Sequence, residues 1–186
     1  MASGGPPVEA LALSRLLPIS AIRIGAPAPD WRAAVRASGD ALVASGATMP
    51  PYTDAMIATV EEFGPYIVIA PGIALAHSRP SPAVRRAGLS VVTLAGPVAF
   101  GHKENDPVRL VVGLAAPDEE GHIVALATLA EFLSDEERRE RLIGATAAGA
   151  VRDMIGSYEK SMAAAAPTAN GPTDDQQPAK GAMQES

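Results

Sequence analysis

The sequence predicts an α/β fold in a single domain, a mixed β-sheet flanked by helices, and three observations carry that prediction. Short runs rich in Val, Ile and Leu at 21–24, 66–69, 89–94 and 108–114 have the length of strands. Between the first two runs, apolar residues recur at helical spacing and are bracketed by helix start and stop signals. Strands therefore interleave with helices, the pattern of a sheet covered by helices.

Taken in order, residues 8–17 read as a short helix stopped by Pro18. Ala21-Ile22-Arg23-Ile24 alternates and reads as a strand. Asp30 offers an N-cap to a helix in which Trp31, Val35 and Leu42 share one face and which Gly46 ends. Pro50-Pro51 suits the first turn of a second helix, with Met56, Val60 and Phe63 at helical spacing and Gly64-Pro65 as its stop. Tyr66-Ile67-Val68-Ile69 reads as a buried strand. Pro71-Gly72 turns the chain, and Ile73-Ala74-Leu75 runs extended up to His77. Strands at 89–94 and 108–114 flank a polar loop at 101–107. Ile123, Leu126, Ala130 and Leu133 mark a helix that begins near His122, Ser134 with Glu137 forms a capping box for the next one, and 147–162 is a terminal helix.

Residues 163–186 contain no Val, Ile, Leu or aromatic side chain, so they have too little apolar surface to offset their ordering entropy. We expect a disordered N-terminus over 1–7, one folded domain over 8–162 and a disordered tail over 163–186.

Composition narrows the function classes. Lys plus Arg number 15 against 21 Asp plus Glu, a formal charge of −6, and no long basic run occurs, so nucleic acid and anionic membrane surfaces are poor partners. The absence of Cys removes disulfides, thiol catalysis and Cys-ligated metals from this chain. The longest apolar stretch, 66–76, is interrupted by Pro71-Gly72 and is too short to span a bilayer. The first seven residues lack the basic start and apolar stretch of a signal peptide. The expectation is a soluble cytoplasmic protein with no direct membrane insertion.

The chain has three histidines, His77, His102 and His122. A lone His among apolar residues is more often structural than reactive, but the setting of His77 departs from that. It follows a strand and precedes Ser78-Arg79-Pro80, so a hydroxyl and a fixed positive charge stand beside the imidazole, and both suit phosphate oxygens. A neutral imidazole is a good nucleophile near pH 7, since its ordinary pKa is ~6.5. His122 stands at a helix start, where an anion is favoured and a neutral ring can donate to a phosphoryl oxygen; the plain alternative is a surface His. His102, in the polar loop, is an accessory candidate, with an exposed loop His as the stronger alternative. No P-loop, zinc spacing or nucleophile elbow is present, so no cofactor and no metal are expected.

Three segments carry a resemblance. Glu62-Phe63-Gly64-Pro65-Tyr66-Ile67-Val68-Ile69-Ala70-Pro71-Gly72-Ile73-Ala74-Leu75-Ala76-His77-Ser78-Arg79-Pro80 resembles the active-site segment of phosphotransferase-system enzyme IIA components. The superfamily is the mannitol/fructose one, and the nearest branch is the L-ascorbate type. Phe100-Gly101-His102-Lys103-Glu104-Asn105-Asp106-Pro107-Val108 resembles a second signature of that branch, and Leu114-Ala115-Ala116-Pro117-Asp118 followed by His122 a third. Order and spacing agree over residues 21–155, nearly all of the folded part.

The resemblance implies a mixed sheet flanked by helices and a phosphoryl carrier. The histidine matching His77 accepts phosphate from the phosphocarrier HPr and passes it to a cysteine on an enzyme IIB, while a membrane enzyme IIC moves the sugar, here L-ascorbate or a related one. His122 matches the second active-site histidine. In the mechanism this implies, one nitrogen of His77 attacks in line, the other donates to an acceptor that fixes the tautomer, and His122, Ser78 and Arg79 share the phosphoryl oxygens. Two departures stand out: Ala76 where relatives place Pro, and no Arg at 58–61, where sugar-alcohol members carry one, which leaves Arg79 as the available substitute. The alternative is a regulatory module of the same fold that reports its phosphorylation state to a transcription factor or enzyme.

Overall fold

The computed structural model describes residues 12–165. Its centre is a five-stranded mixed sheet in the order β1-β4-β5-β3-β2, made of β1 (Ile22–Ala26), β2 (Val68–Ala70), β3 (Ile73–His77), β4 (Gly88–Val98) and β5 (Val108–Ala115). β1 runs parallel to β4 and β3 parallel to β5, whereas β4/β5 and β2/β3 are antiparallel. Helices α2 (Trp31–Ala44) and α3 (Pro50–Phe63) cover one face. The other face is covered by the short α1 (Leu13–Leu16), α4 (Glu119–Phe132), α5 (Glu136–Ile143) and α6 (Ala148–Ala165).

Two cores follow from the period-two alternation of the central strands. Ile73, Leu75, Leu110, Val112 and Leu114 point into the α4–α6 core with Leu129 and Phe132, while Ala74, Ala76, Val111 and Ala115 point into the α2–α3 core with Tyr52 and Met56. Burying each such Leu, Ile or Val contributes about 1.5–3 kcal/mol against exposure. The small residues on the second face let α2 approach closely. A Cβ at Gly113 would collide with the hydroxyls of Ser38 and Ser90, which bond each other at 3.0 Å beneath the helix.

The helices begin and end for local reasons. Asp30 caps α2 by accepting from the Ala33 N–H at 2.8 Å, and Gly64, at φ +82°, ends α3 in a conformation that other residues resist. Four expectations need correction. Pro65 starts a 3₁₀ turn, Pro65–Ile67, so the strand begins only at Val68; it is an edge strand, and Tyr66 and Ile69 are 45% and 42% exposed. The buried stripe of α4 is Ala125, Leu129 and Phe132, which leaves Ile123 64% exposed and Ala130 on the surface. The helix starts at Glu119, capped by Asp118, rather than near His122. Asp135, not Ser134, caps α5: its carboxylate accepts from the Arg138 N–H at 2.7 Å, while the Ser134 hydroxyl donates to the Glu131 carbonyl.

At the chain ends, the expected segment 1–7 and residues 166–186 of the expected tail 163–186 lie outside the described residues, as do residues 8–11 of the first expected helix. Ala163–Ala165, placed in the tail by composition, continue α6.

Candidate functional site

His77 is the last residue of β3, paired across the ladder with Leu114 of β5. It ends the series Ile73, Leu75, His77, so its ring lies on the α4 side of the sheet, at the carboxyl ends of two parallel strands. Its Nδ1 is 2.9 Å from the carbonyl oxygen of Leu75. A carbonyl only accepts, so Nδ1 carries the proton and Nε2 keeps its lone pair. Burial pushes the His77 pKa below its ordinary value, the nearby His122 ring pushes the same way, and the bond to Leu75 opposes both. His77 is therefore neutral at pH 7, with one nucleophilic nitrogen.

The ring opens on a cleft of about 380 Å³, lined by Thr59 and Phe63 of α3, Tyr66, His77, Ser78, Arg79, and Glu119 and His122 of α4. The α4 N-terminus lies at this cleft; its dipole favours an anion there, and the Asp118 carboxylate already accepts from the Gly121 amide. His122 stands in the first turn with its ring centroid 5.4 Å from that of His77, and its Nδ1 is buried without a hydrogen-bond partner. Tyr66 meets His77 edge-on at 6.1 Å, and Phe63 meets Tyr66 edge-on at 6.3 Å, so one wall is apolar. Arg79 is exposed and forms no ion pair among the described residues.

Ser78 is held by α3. The Tyr52 hydroxyl accepts from the Ser78 N–H at 3.0 Å and donates to the Leu114 carbonyl at 2.7 Å, with the Ser78 carbonyl at 3.1 Å also in reach of its proton. Burial raises the Tyr52 pKa to about 12, so the phenol stays protonated. The Thr59 hydroxyl lies 3.2 Å from that of Ser78.

His102 lies elsewhere. The β3–β5 register pairs Ile73 with Leu110 and His77 with Leu114, which puts the 101–107 loop, just before β5, at the opposite end of the sheet from His77. There His102 Nδ1 accepts from the Glu104 and Asn105 amides at 3.2 and 3.1 Å. His77, His122, Ser78 and Arg79 thus converge on one cleft and His102 does not. No group of three or more His, Asp or Glu residues among the described residues is arranged to hold a metal ion.

Comparison with known proteins decides the family. The family model described as phosphoenolpyruvate-dependent sugar phosphotransferase system, EIIA 2, matches residues 15–158. The chain belongs to that EIIA family. It is a phosphotransferase component, a carrier of phosphoryl groups. The chain is 41% identical over 135 residues to the ascorbate-specific PTS system EIIA component of Escherichia coli, covering 72% of this chain and 88% of the relative. The solution structure of the mannitol-specific cryptic enzyme IIA from Escherichia coli superposes with a TM-score of 0.71 at 32% identity, covering 79% of this chain and 99% of that one. The IIA mannitol chain solved in complex with phosphorylated enzyme IIB from the same organism matches with a TM-score of 0.66 at 30% identity, covering 74% and 95%.

This EIIA cleft contains residues that the sequence reading passed over. Tyr52 and Thr59 are seven residues apart and so share one face of α3; a polar pair on an otherwise apolar stripe was the available signal. Glu119 is three residues before His122 on α4, again one face. Tyr66, which reads as part of a buried strand, stands instead in a 3₁₀ turn beside His77. No helix of the described residues is long and apolar enough to cross a membrane.

Proposed function

We propose that this chain accepts a phosphoryl group from HPr on Nε2 of His77 and passes it to a cysteine of an enzyme IIB, in the cytoplasm, in a system whose membrane enzyme IIC moves L-ascorbate or a related sugar. The observation that carries the reading is the Leu75–His77 hydrogen bond, which leaves Nε2 as the free nitrogen at the cleft. In the first half-reaction the Nε2 lone pair attacks phosphorus, the N–P bond forms and the bond to the donor breaks. The Nδ1 proton stays where it is, and the positive charge that develops on the ring is steadied by the Leu75 carbonyl. In the second half-reaction a thiolate sulfur attacks the same phosphorus and the N–P electrons return to Nε2. His122 and the Arg79 guanidinium are the groups at hand to bind the phosphoryl oxygens in both directions. The exposed Phe63 and Tyr66 at the cleft form an apolar rim suited to brief docking of either partner, with exposed Ile123 next in sequence to His122.

The ascorbate branch is supported by the relative at 41% identity, and the IIB partner by the complex solved for the mannitol IIA chain. Incubation with enzyme I, HPr and phosphoenolpyruvate, followed by mass spectrometry under alkaline conditions, tests the reading. One acid-labile phosphoryl group on the peptide carrying His77 is expected, and a chain left unmodified while HPr is phosphorylated would refute it.

A further inference from the structure

We infer that Tyr52 and Thr59 are positioning residues for phosphoryl transfer: together they hold Ser78 by all three of its polar atoms and set its hydroxyl for release to the phosphoryl group. The inference rests on the reading of His77 as the phosphoryl acceptor. Ser78 follows directly on the reacting residue, and Ala76 before it imposes no restraint on the backbone. The restraint comes from α3. The Tyr52 phenol accepts from the Ser78 amide at 3.0 Å, and its proton lies between the carbonyls of Leu114 at 2.7 Å and Ser78 at 3.1 Å. Leu114 is the cross-strand partner of His77, so one fully buried hydroxyl ties the residue after His77 to the strand position beside it. With Ser78 N–H spent on Tyr52, the amide is not a phosphate donor, and the Ser78 side chain is the part of that residue left for the task.

Thr59 controls that side chain. Its own proton is committed to the Ala55 carbonyl at 2.7 Å, so in the 3.2 Å contact Thr59 Oγ1 accepts and Ser78 donates. At 3.2 Å this hydroxyl–hydroxyl bond is longer than the usual 2.7–2.8 Å and correspondingly weak. A phosphoryl oxygen is a charged acceptor that binds hydroxyl protons at shorter range and roughly twice as strongly. When His77 is phosphorylated, the Ser78 hydroxyl turns from Thr59 to the phosphoryl group without disturbing the main-chain hold of Tyr52. Thr59 keeps the hydroxyl in place while the site is empty, and its own bond to Ala55 stays intact throughout.

The test measures single-turnover phosphoryl transfer from phospho-HPr against HPr concentration for the wild type, Thr59→Val, Thr59→Ser and Tyr52→Phe, with a thermal melt of each. Thr59→Val is expected to lower the maximal rate about three- to tenfold with half-saturation unchanged, since docking is untouched, and Thr59→Ser to restore it to within about twofold. Tyr52→Phe, which keeps the ring buried but frees the Ser78 amide, is expected to lower the maximal rate at least as much as Thr59→Val. Wild-type maximal rates in both Thr59→Val and Tyr52→Phe would overturn the inference, as would a Thr59→Ser protein as slow as Thr59→Val. If Tyr52→Phe fails to fold, the two Thr59 variants alone decide. A wild-type chain that takes no phosphoryl group would instead remove the assignment of His77, and the clamp with it.

Discussion

The two ends of the β3–β5 pair each present a histidine, one closing a strand and one in a loop, and they use it in opposite ways. At the start of β5, His102 Nδ1 accepts two backbone amides, and the Asp106 carboxylate accepts three more, from Phe100, Gly101 and His102. The loop they close holds the β2–β3 turn: the Asn105 carbonyl accepts from the Gly72 amide at 2.9 Å, and the Asn105 side chain donates to the Val68 carbonyl at 3.1 Å. Because His102 Nδ1 accepts, the ring proton sits on Nε2 and no lone pair is left free for attack. At the far end, His77 Nδ1 donates and Nε2 keeps its lone pair, and His122 leaves its buried Nδ1 with no hydrogen-bond partner. Buried polar atoms are nearly always paired, so unspent capacity beside a cleft is a sign of a ligand to come. The fate of each ring nitrogen, rather than the presence of histidine, separates a brace from the proposed reaction centre.

That comparison can be broken by substitution at either end. The largest effect is expected for His77→Ala, which should fold and accept no phosphoryl group; mass spectrometry after incubation with the phosphorylated donor reads this directly. His122→Ala comes next. Removing one preorganised donor at such a site costs about 10²–10³ in rate, so at least one half-reaction should slow by that order while the melt stays normal. Onward transfer is the more sensitive half, because the departing group loses a partner for its charge while the His77 nucleophile is intact. Unchanged rates in both directions would take His122 out of the site.

At the other end the phenotype should invert. Asp106→Ala strands three amides and is expected to lower stability by about 1–3 kcal/mol, with phosphoryl transfer by the folded fraction unchanged. His102→Ala should do the same more weakly, by about 0.5–1 kcal/mol, since it releases only two amides and water can reach that of Glu104. Loss of transfer in folded His102→Ala would erase the distinction between the two ends.

The smallest expected effect concerns pH. Burial holds the His77 pKa below its ordinary value, so the ring stays nucleophilic into mildly acidic solution, and the acid limb of the transfer rate should have its midpoint below ~6.5. The same shift has a stability consequence of fixed sign. The unfolded chain binds the His77 proton more readily, so stability conferred by the neutral ring is present above pH ~6.5 and is lost as pH falls through the folded-state pKa. His77→Ala should flatten that part of the stability curve, as denaturant melts from pH 7.5 to 5 would show.

Much of this site was legible in the sequence, because the residues that carry it are contiguous or punctuated. Ile73 to His77 alternates as a strand should, Pro71-Gly72 marks its turn, and Ser78-Arg79 follows at once, so the strand end proposed here as the acceptor could be read directly. His122 was harder to place: of the stripe Ile123, Leu126, Ala130 and Leu133, Leu133 is buried and Leu126 packs against the core, but the helix otherwise buries Ala125, Leu129 and Phe132. In a segment so rich in Ala and Leu, several faces look equally apolar, and tertiary packing makes the choice. Tyr66 was misjudged because its neighbours Ile67, Val68 and Ile69 suggest a strand, whereas Pro65 opens a 3₁₀ turn and sends the ring to the cleft. The hold of Tyr52 on Ser78 spans 26 residues and two elements, and nothing local announces it.

The most direct test of the central assignment is the identity of the phosphorylated atom. Nitrogen-15 labelling of the histidines, phosphorylation through HPr, and measurement of phosphorus–nitrogen coupling would show which ring nitrogen bears the group. With the His77 Nδ1 proton held by the Leu75 carbonyl, the coupling must appear on His77 Nε2. A phosphoryl group on Nδ1 of His77, or on His102 or His122, would contradict the account.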